Sequence, residues 1–209
     1  MFRLQRIVFP GLLLFICCKL QAQIKLNTAY LDYIAQYKDL AIEEMKQNHI
    51  PASITLAQGL IESSAGQSRL ATQANNHFGI KCHDWQGRSI TADDDALAEC
   101  FRAYDNPRQS FKDHSSFLKN NVRYARLFQL APDDYRGWAY GLKNCGYATN
   151  PLYGDKLIEI IELYQLYQYD NARSYDRYMA NVYDAQNRVA VPQPHIVRMY
   201  NKNYYIVAR

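Results

Sequence analysis

The chain has 209 residues, with 24 lysines and arginines against 20 aspartates and glutamates, for a formal charge of +4. Arg3, Arg6 and Lys19 fall in the first 22 residues, and the remainder carries 21 basic and 20 acidic side chains. A near-neutral balance without a basic cluster excludes nucleic acid as an expected partner.

Residues 1–22 read as a secretory signal peptide: Arg3 and Arg6, an apolar run over 7–18 broken by Pro10 and Gly11, then Gln21-Ala22-Gln23 with cleavage expected after Ala22. The run is too short for a membrane span. A lipoprotein acylated at Cys17 or Cys18 is the competing reading. It is the weaker one, because Phe15, Ile16 or Cys17 would stand where small residues are expected before the modified cysteine. Either way the expected location is exported, periplasmic or envelope-associated. Three cysteines then remain, Cys82, Cys100 and Cys145, an odd number for an oxidising compartment.

Helical periodicity dominates 27–170, a length sufficient to bury its own core. Leu31, Ile34, Tyr37, Ala41 and Met45 predict a first helix of about 20 residues ending before Pro51, and a second helix is expected over 51–63. Further helices are expected over 110–121, 132–143 and 153–169, with Pro132, Asp133 and Asp134 as a favoured helix start. Only 79–104 looks extended, around a turn at Trp85-Gln86-Gly87-Arg88. The expected class is mainly α (α+β), a helical domain with one small β hairpin.

In the second predicted helix, projection at about 100° per residue places Ile54, Leu56, Ala57, Leu60 and Ile61 on an arc of roughly 160°, with Glu62 about 80° outside it. Ser63, Ser64 and Gly66 follow, so the helix is expected to end within a turn of Glu62, at the negative end of its dipole. Such a position favours a protonated carboxyl, which is what a general acid needs. The competing reading is a solvated glutamate at a helix end.

A hairpin around 85–88 would bring Cys82 and Cys100 close enough to bridge, against the alternative of free thiols. No C-x-x-C occurs, and His77, Cys82, His83 and Cys100 lack a ligand spacing, so no metal is expected. No cofactor is expected either.

The blocks LIESSAGQSRLA, NNHFGIKC, ECFRAYDNPRQSFKDHSSFL and GYATNPLYGDKLIEIIELY, in this order and spacing, resemble the bacterial glucosaminidase family of peptidoglycan hydrolases, flagellar-type and autolysin-type. The resemblance covers about 31–170 and implies a lysozyme-like fold in which Glu62 is the catalytic acid. It also implies a second acid on the β segment before Phe101-Arg102-Ala103-Tyr104. There the sequence has Asp93-Asp94-Asp95 in place of glutamate, so Asp93 or Asp94 is the candidate, against an exposed turn of solvated acids. The other route is attack by the substrate's own 2-acetamido group, with Tyr147 of Gly146-Tyr147-Ala148-Thr149 assisting. For groove contact the resemblance points to Asn76, His77, Phe78 and Thr149. Trp85, Trp138, Tyr124 and Tyr153 are candidates for stacking on sugars, against a core role.

The expected function is a secreted endo-β-N-acetylglucosaminidase acting on peptidoglycan glycan strands. A muramidase or lytic transglycosylase of the same fold, and a non-catalytic wall-binding protein, are the alternatives. Residues 171–209 form a C-terminal extension, either packed on the domain or, as NKNYYIVAR resembles, the lead-in to a LysM repeat of which no complete copy follows.

Overall fold

The computed structural model describes residues 26–93 and 97–171, and the backbone of strands at 196–200 and 203–207. The expected signal peptide, Cys17, Cys18, Asp94 and Asp95 lie outside the described residues.

Helix α1 (Thr28–Asn48) starts where Asn27 accepts the Ala29 N–H at 2.9 Å and ends at left-handed His49. It buries Tyr33, Ile34, Ala41, Ile42 and Met45 against α2 (Ala52–Glu62). All of α2 from Ala52 to Leu60 is buried, the all-round burial expected of an apolar central helix. Pro51 at its start supplies no side-chain cap. Instead the Asp170 carboxyl, 117 residues away, accepts from the Ser53 N–H at 2.8 Å and the Ser53 hydroxyl at 2.6 Å, satisfying a donor that the helix start leaves open.

The exit of α2 follows from Ser63 to Gly66. The Ser63 hydroxyl donates to the Gly59 carbonyl at 2.5 Å and accepts from the Gly66 N–H at 2.7 Å. Ser64, Ala65 and Gly66 are all left-handed, and the Ala65 N–H returns to the Leu60 carbonyl. The helix therefore stops at Glu62. Gly59 is required on the buried side, since a Cβ there would overlap the Tyr33 hydroxyl. Ser68 then caps α3 (Arg69–Ala74).

Strands β1 (Ser89–Ala92) and β2 (Glu99–Arg102) pair antiparallel, with Ile90 opposite Phe101 and Thr91 opposite Cys100. The hairpin turn is thus at 93–98, not at 85–88 as the sequence led us to expect. Trp85 to Arg88 make a separate turn, closed by the Trp85 indole N–H on the Arg88 carbonyl. On its other edge β2 meets 80–82, where the Cys82 N–H bonds the Cys100 carbonyl and the Arg102 N–H bonds the Ile80 carbonyl. That edge pairing, rather than a hairpin at 85–88, sets Cys82 and Cys100 5.4 Å apart at Cα, joined by a disulfide. Arg102 and Tyr104 then clamp the lobe to Asp113 of α4 (Pro107–Asn120).

A 3₁₀ segment (Val122–Gln129), α5 (Tyr135–Asn144) and α6 (Tyr153–Leu163) complete the domain. Helix α5 begins three residues after Pro132, because the Asp134 side chain accepts the Gly137 N–H at 2.8 Å and so acts as the cap rather than as helix. The stretch expected as one helix over 153–169 breaks at left-handed Gln165 and resumes as a 3₁₀ turn (Leu166–Tyr169) that carries Asp170 to α2. In the C-terminal extension, β3 (Ile196–Tyr200) and β4 (Asn203–Val207) pair antiparallel, a second hairpin that the sequence reading did not foresee. Among the described residues no helix is long and apolar enough to cross a membrane.

Candidate active site

Glu62, half-buried at the last position of α2, opens into a cleft of about 580 Å³ walled by α3, the β lobe, the 3₁₀ segment and the 146–147 turn. The Tyr153 hydroxyl donates to Glu62 Oε1 at 2.7 Å and accepts from Gln58 Nε2 at 3.1 Å. Gln58 precedes Glu62 by one helical turn, so a single helix face presents both ends of this relay. Tyr147 stacks on Tyr153 with centroids 5.6 Å apart and lines the cleft. Burial pushes both hydroxyls well above the usual tyrosine range, and the Glu62 charge adds to the effect. Both remain neutral hydrogen-bond donors beside the carboxyl.

The expected site residues divide by location. Glu62, Phe78, Asp93, Tyr124 and Tyr147 line one cleft. Asp93 is exposed and its Oδ1 accepts the Ala98 N–H at 2.8 Å, so it also closes the hairpin turn. Phe78 is almost covered, stacked at 4.0 Å on His114, itself fully buried and pushed down to about 3 by that burial. Thr149 is exposed but is not part of the cleft lining.

Asn76 and His77 do not contact the groove. Asn76 is fully buried, donating to the Ile80 and Arg102 carbonyls and accepting from the Phe78 and Ile80 N–H groups, so its amide pins the lobe's backbone. His77 is buried among Tyr33, Tyr37 and Phe111, with Nδ1 3.2 Å from the Tyr33 hydroxyl. Tyr153 offers no face to a sugar either: it is 3% exposed and serves as the partner of Glu62. Trp138 is core, packed on Phe128. The Trp85 ring is flanked by Arg102 and Gly87 in a different cleft. The sequence reading missed Arg69, Lys81, Phe117 and Arg123 on the cleft wall. It also missed Gln58, which its position four residues before Glu62 could have revealed. Among the described residues no group of three or more histidines, cysteines or acids could hold a metal.

A mainly helical domain with a glutamate at the end of a buried helix, facing a small β lobe across a cleft, defines a lysozyme-like hydrolase architecture. The glucosaminidase family, described as mannosyl-glycoprotein endo-beta-N-acetylglucosaminidase, matches residues 38–166, and the chain belongs to it. It is 31% identical over 161 residues to the exo-glucosaminidase LytG of Bacillus subtilis (strain 168), covering 71% of this chain and 55% of that protein. To the peptidoglycan hydrolase FlgJ of Vibrio parahaemolyticus it is 31% identical over 140 residues, covering 61% and 45%. The chain thus spans about half the length of these curated relatives. The solved glycoside hydrolase domain of Salmonella typhimurium FlgJ gives a TM-score of 0.58 at 26% identity over 76% of this chain and 98% of that one. The catalytic domain of the Listeria monocytogenes autolysin Auto gives 0.60 at 26% identity over 71% and 91%.

Proposed function

We propose that the chain is a peptidoglycan hydrolase, an endo-β-N-acetylglucosaminidase cutting between N-acetylglucosamine and N-acetylmuramic acid, with Glu62 as general acid. The observation that carries this reading is the Glu62 carboxyl on the cleft, held through Oε1 by the buried Tyr153 hydroxyl. The carboxyl gives its proton to the glycosidic oxygen as the bond to the anomeric carbon breaks, and the developing positive charge on the sugar is met by a second group. Asp93 or Asp94 is that group, activating water or attacking the anomeric carbon; Asp93 supports this by lining the same cleft as Glu62. Tyr147 is the candidate to hydrogen-bond the acetamido side of the sugar, and its position on the lining of the Glu62 cleft supports that role. The relatives named peptidoglycan hydrolases support the substrate class, and such a substrate accords with an exported, envelope-associated protein.

Product ends test the bond. Digestion of purified peptidoglycan, analysed by mass spectrometry, is expected to release fragments with reducing-end N-acetylglucosamine. Reducing-end N-acetylmuramic acid would make the protein a muramidase, and anhydro-muramic ends a lytic transglycosylase. For the second group, the Asp93→Asn, Asp94→Asn double variant is expected to lose activity nearly as far as Glu62→Gln. Full activity in that variant would transfer the role to the acetamido group, and Tyr147→Phe would then be the more damaging change.

A further inference from the structure

Among the cations on the cleft wall, Lys81 bonds Glu99 at 2.9 Å. Arg123 is different: it is exposed on the cleft wall and has no carboxylate partner among the described residues. Its guanidinium lies 6.0 Å from the Tyr124 ring centroid, and a Cβ on Gly146 would meet Nη1 at 3.9 Å, so it stands beside the turn that carries Tyr147. Burial raises the Tyr124 hydroxyl, and the Arg123 guanidinium draws it part-way back. Arg69, on the wall at the start of α3, is a second cation, and its Nε donates to the neutral side-chain carbonyl of Gln73 at 3.1 Å. A planar donor fork on the cleft wall without an acid of its own suits a carboxylate brought by the ligand.

We infer that Arg123 recognises a carboxylate carried by the substrate's muramyl residue and so makes the cleft selective for anionic over neutral β-1,4-linked N-acetylhexosamine strands. This rests on the peptidoglycan reading above. Two sources offer the group: the stem peptide, and the lactyl carboxylate exposed when that peptide is removed.

The test measures Kd of full-length protein in a Glu62→Gln background for three probes: peptide-bearing muramyl glycan, the same glycan stripped by an amidase, and neutral chitohexaose. Arg123→Gln is expected to lower the preference for an anionic probe over chitohexaose about five- to tenfold, and Arg123→Lys, which keeps the charge but loses the fork, to restore only part of it. The preference should also shrink as salt rises from about 0.05 M to about 0.5 M. A loss confined to the peptide-bearing probe assigns the stem; a loss on the stripped probe assigns the lactyl group. An unchanged preference, or equal weakening of all three, overturns the inference. If the wild-type protein still cleaves peptidoglycan in that event, the functional reading stands alone. If it does not cleave at all, both fall.

Discussion

Glu62 is specified by two residues that belong to different parts of the chain. Gln58 lies one turn before it, and Tyr153 comes from 91 residues away to donate at 2.7 Å. Removing the Tyr153 hydroxyl leaves the ring to fill its site but frees the carboxyl to turn. We expect Tyr153→Phe to lower kcat about tenfold with KM little changed, at a stability cost of about 1 kcal/mol for the lost buried hydrogen bonds. Steady-state kinetics on soluble glycan fragments checks this, and an unaltered kcat would remove Tyr153 from the mechanism. Glu62 itself was legible in the sequence because helical projection set it outside the apolar arc just before Ser63-Ser64-Ala65-Gly66. Its tertiary partner was not, because a tyrosine that packs under a carboxyl and one that stacks on a sugar have the same local pattern. Asn76 failed for a related reason: an amide that satisfies three backbone groups of its own loop and the Arg102 carbonyl of β2 looks, in sequence, like one offered to a ligand.

At the level of elements, the β lobe depends on 80–82 running along the free edge of β2, and the Cys82–Cys100 disulfide closes that arrangement. A loop with a separation of 18 residues contributes about 3 kcal/mol in the chain-entropy account. We expect non-reducing digestion to yield the linked peptide pair. Reduction should accelerate hydrogen exchange in 80–102 well before the amides of α2, and uniform loosening would contradict a lobe-specific role. The helices were largely readable from period and caps. Where the reading slipped, at Pro132 and at 164–165, a competing local bond decided the boundary: the Asp134 cap in one case and left-handed Gln165 in the other. The hairpin turn was misplaced because Gly87 is a strong turn signal, whereas the actual turn at 93–98 is closed by the Asp93 side chain and left-handed Ala98.

On the scale of the molecule, three buried titratable groups set the response to acid. Burial lowers His77 to about 4 and His114 to about 3, so each takes up a proton on unfolding once the pH falls below about 6.5, and stability is lost. Asp170 runs the other way. Burial, partly offset by the Ser53 hydrogen bonds, raises it to about 7, so its contribution is present below about pH 4 and is lost as the pH rises through 7. Near pH 5 the balance is roughly one proton gained on unfolding, which predicts a stability decline of about 1 kcal/mol per pH unit of acidification. Asp170→Asn should steepen that decline and His114→Leu should flatten it, both measured by denaturant unfolding between pH 4 and 7. If the two variants share the wild-type slope, these groups do not govern it. The same buried architecture keeps Glu62 at the cleft, and the account rests on its proton. The most direct measurement is peptidoglycan clearing by Glu62→Gln beside wild type, with circular dichroism confirming equal folding. The account predicts a loss of at least about 10²-fold. Near-normal clearing by a folded variant would contradict it.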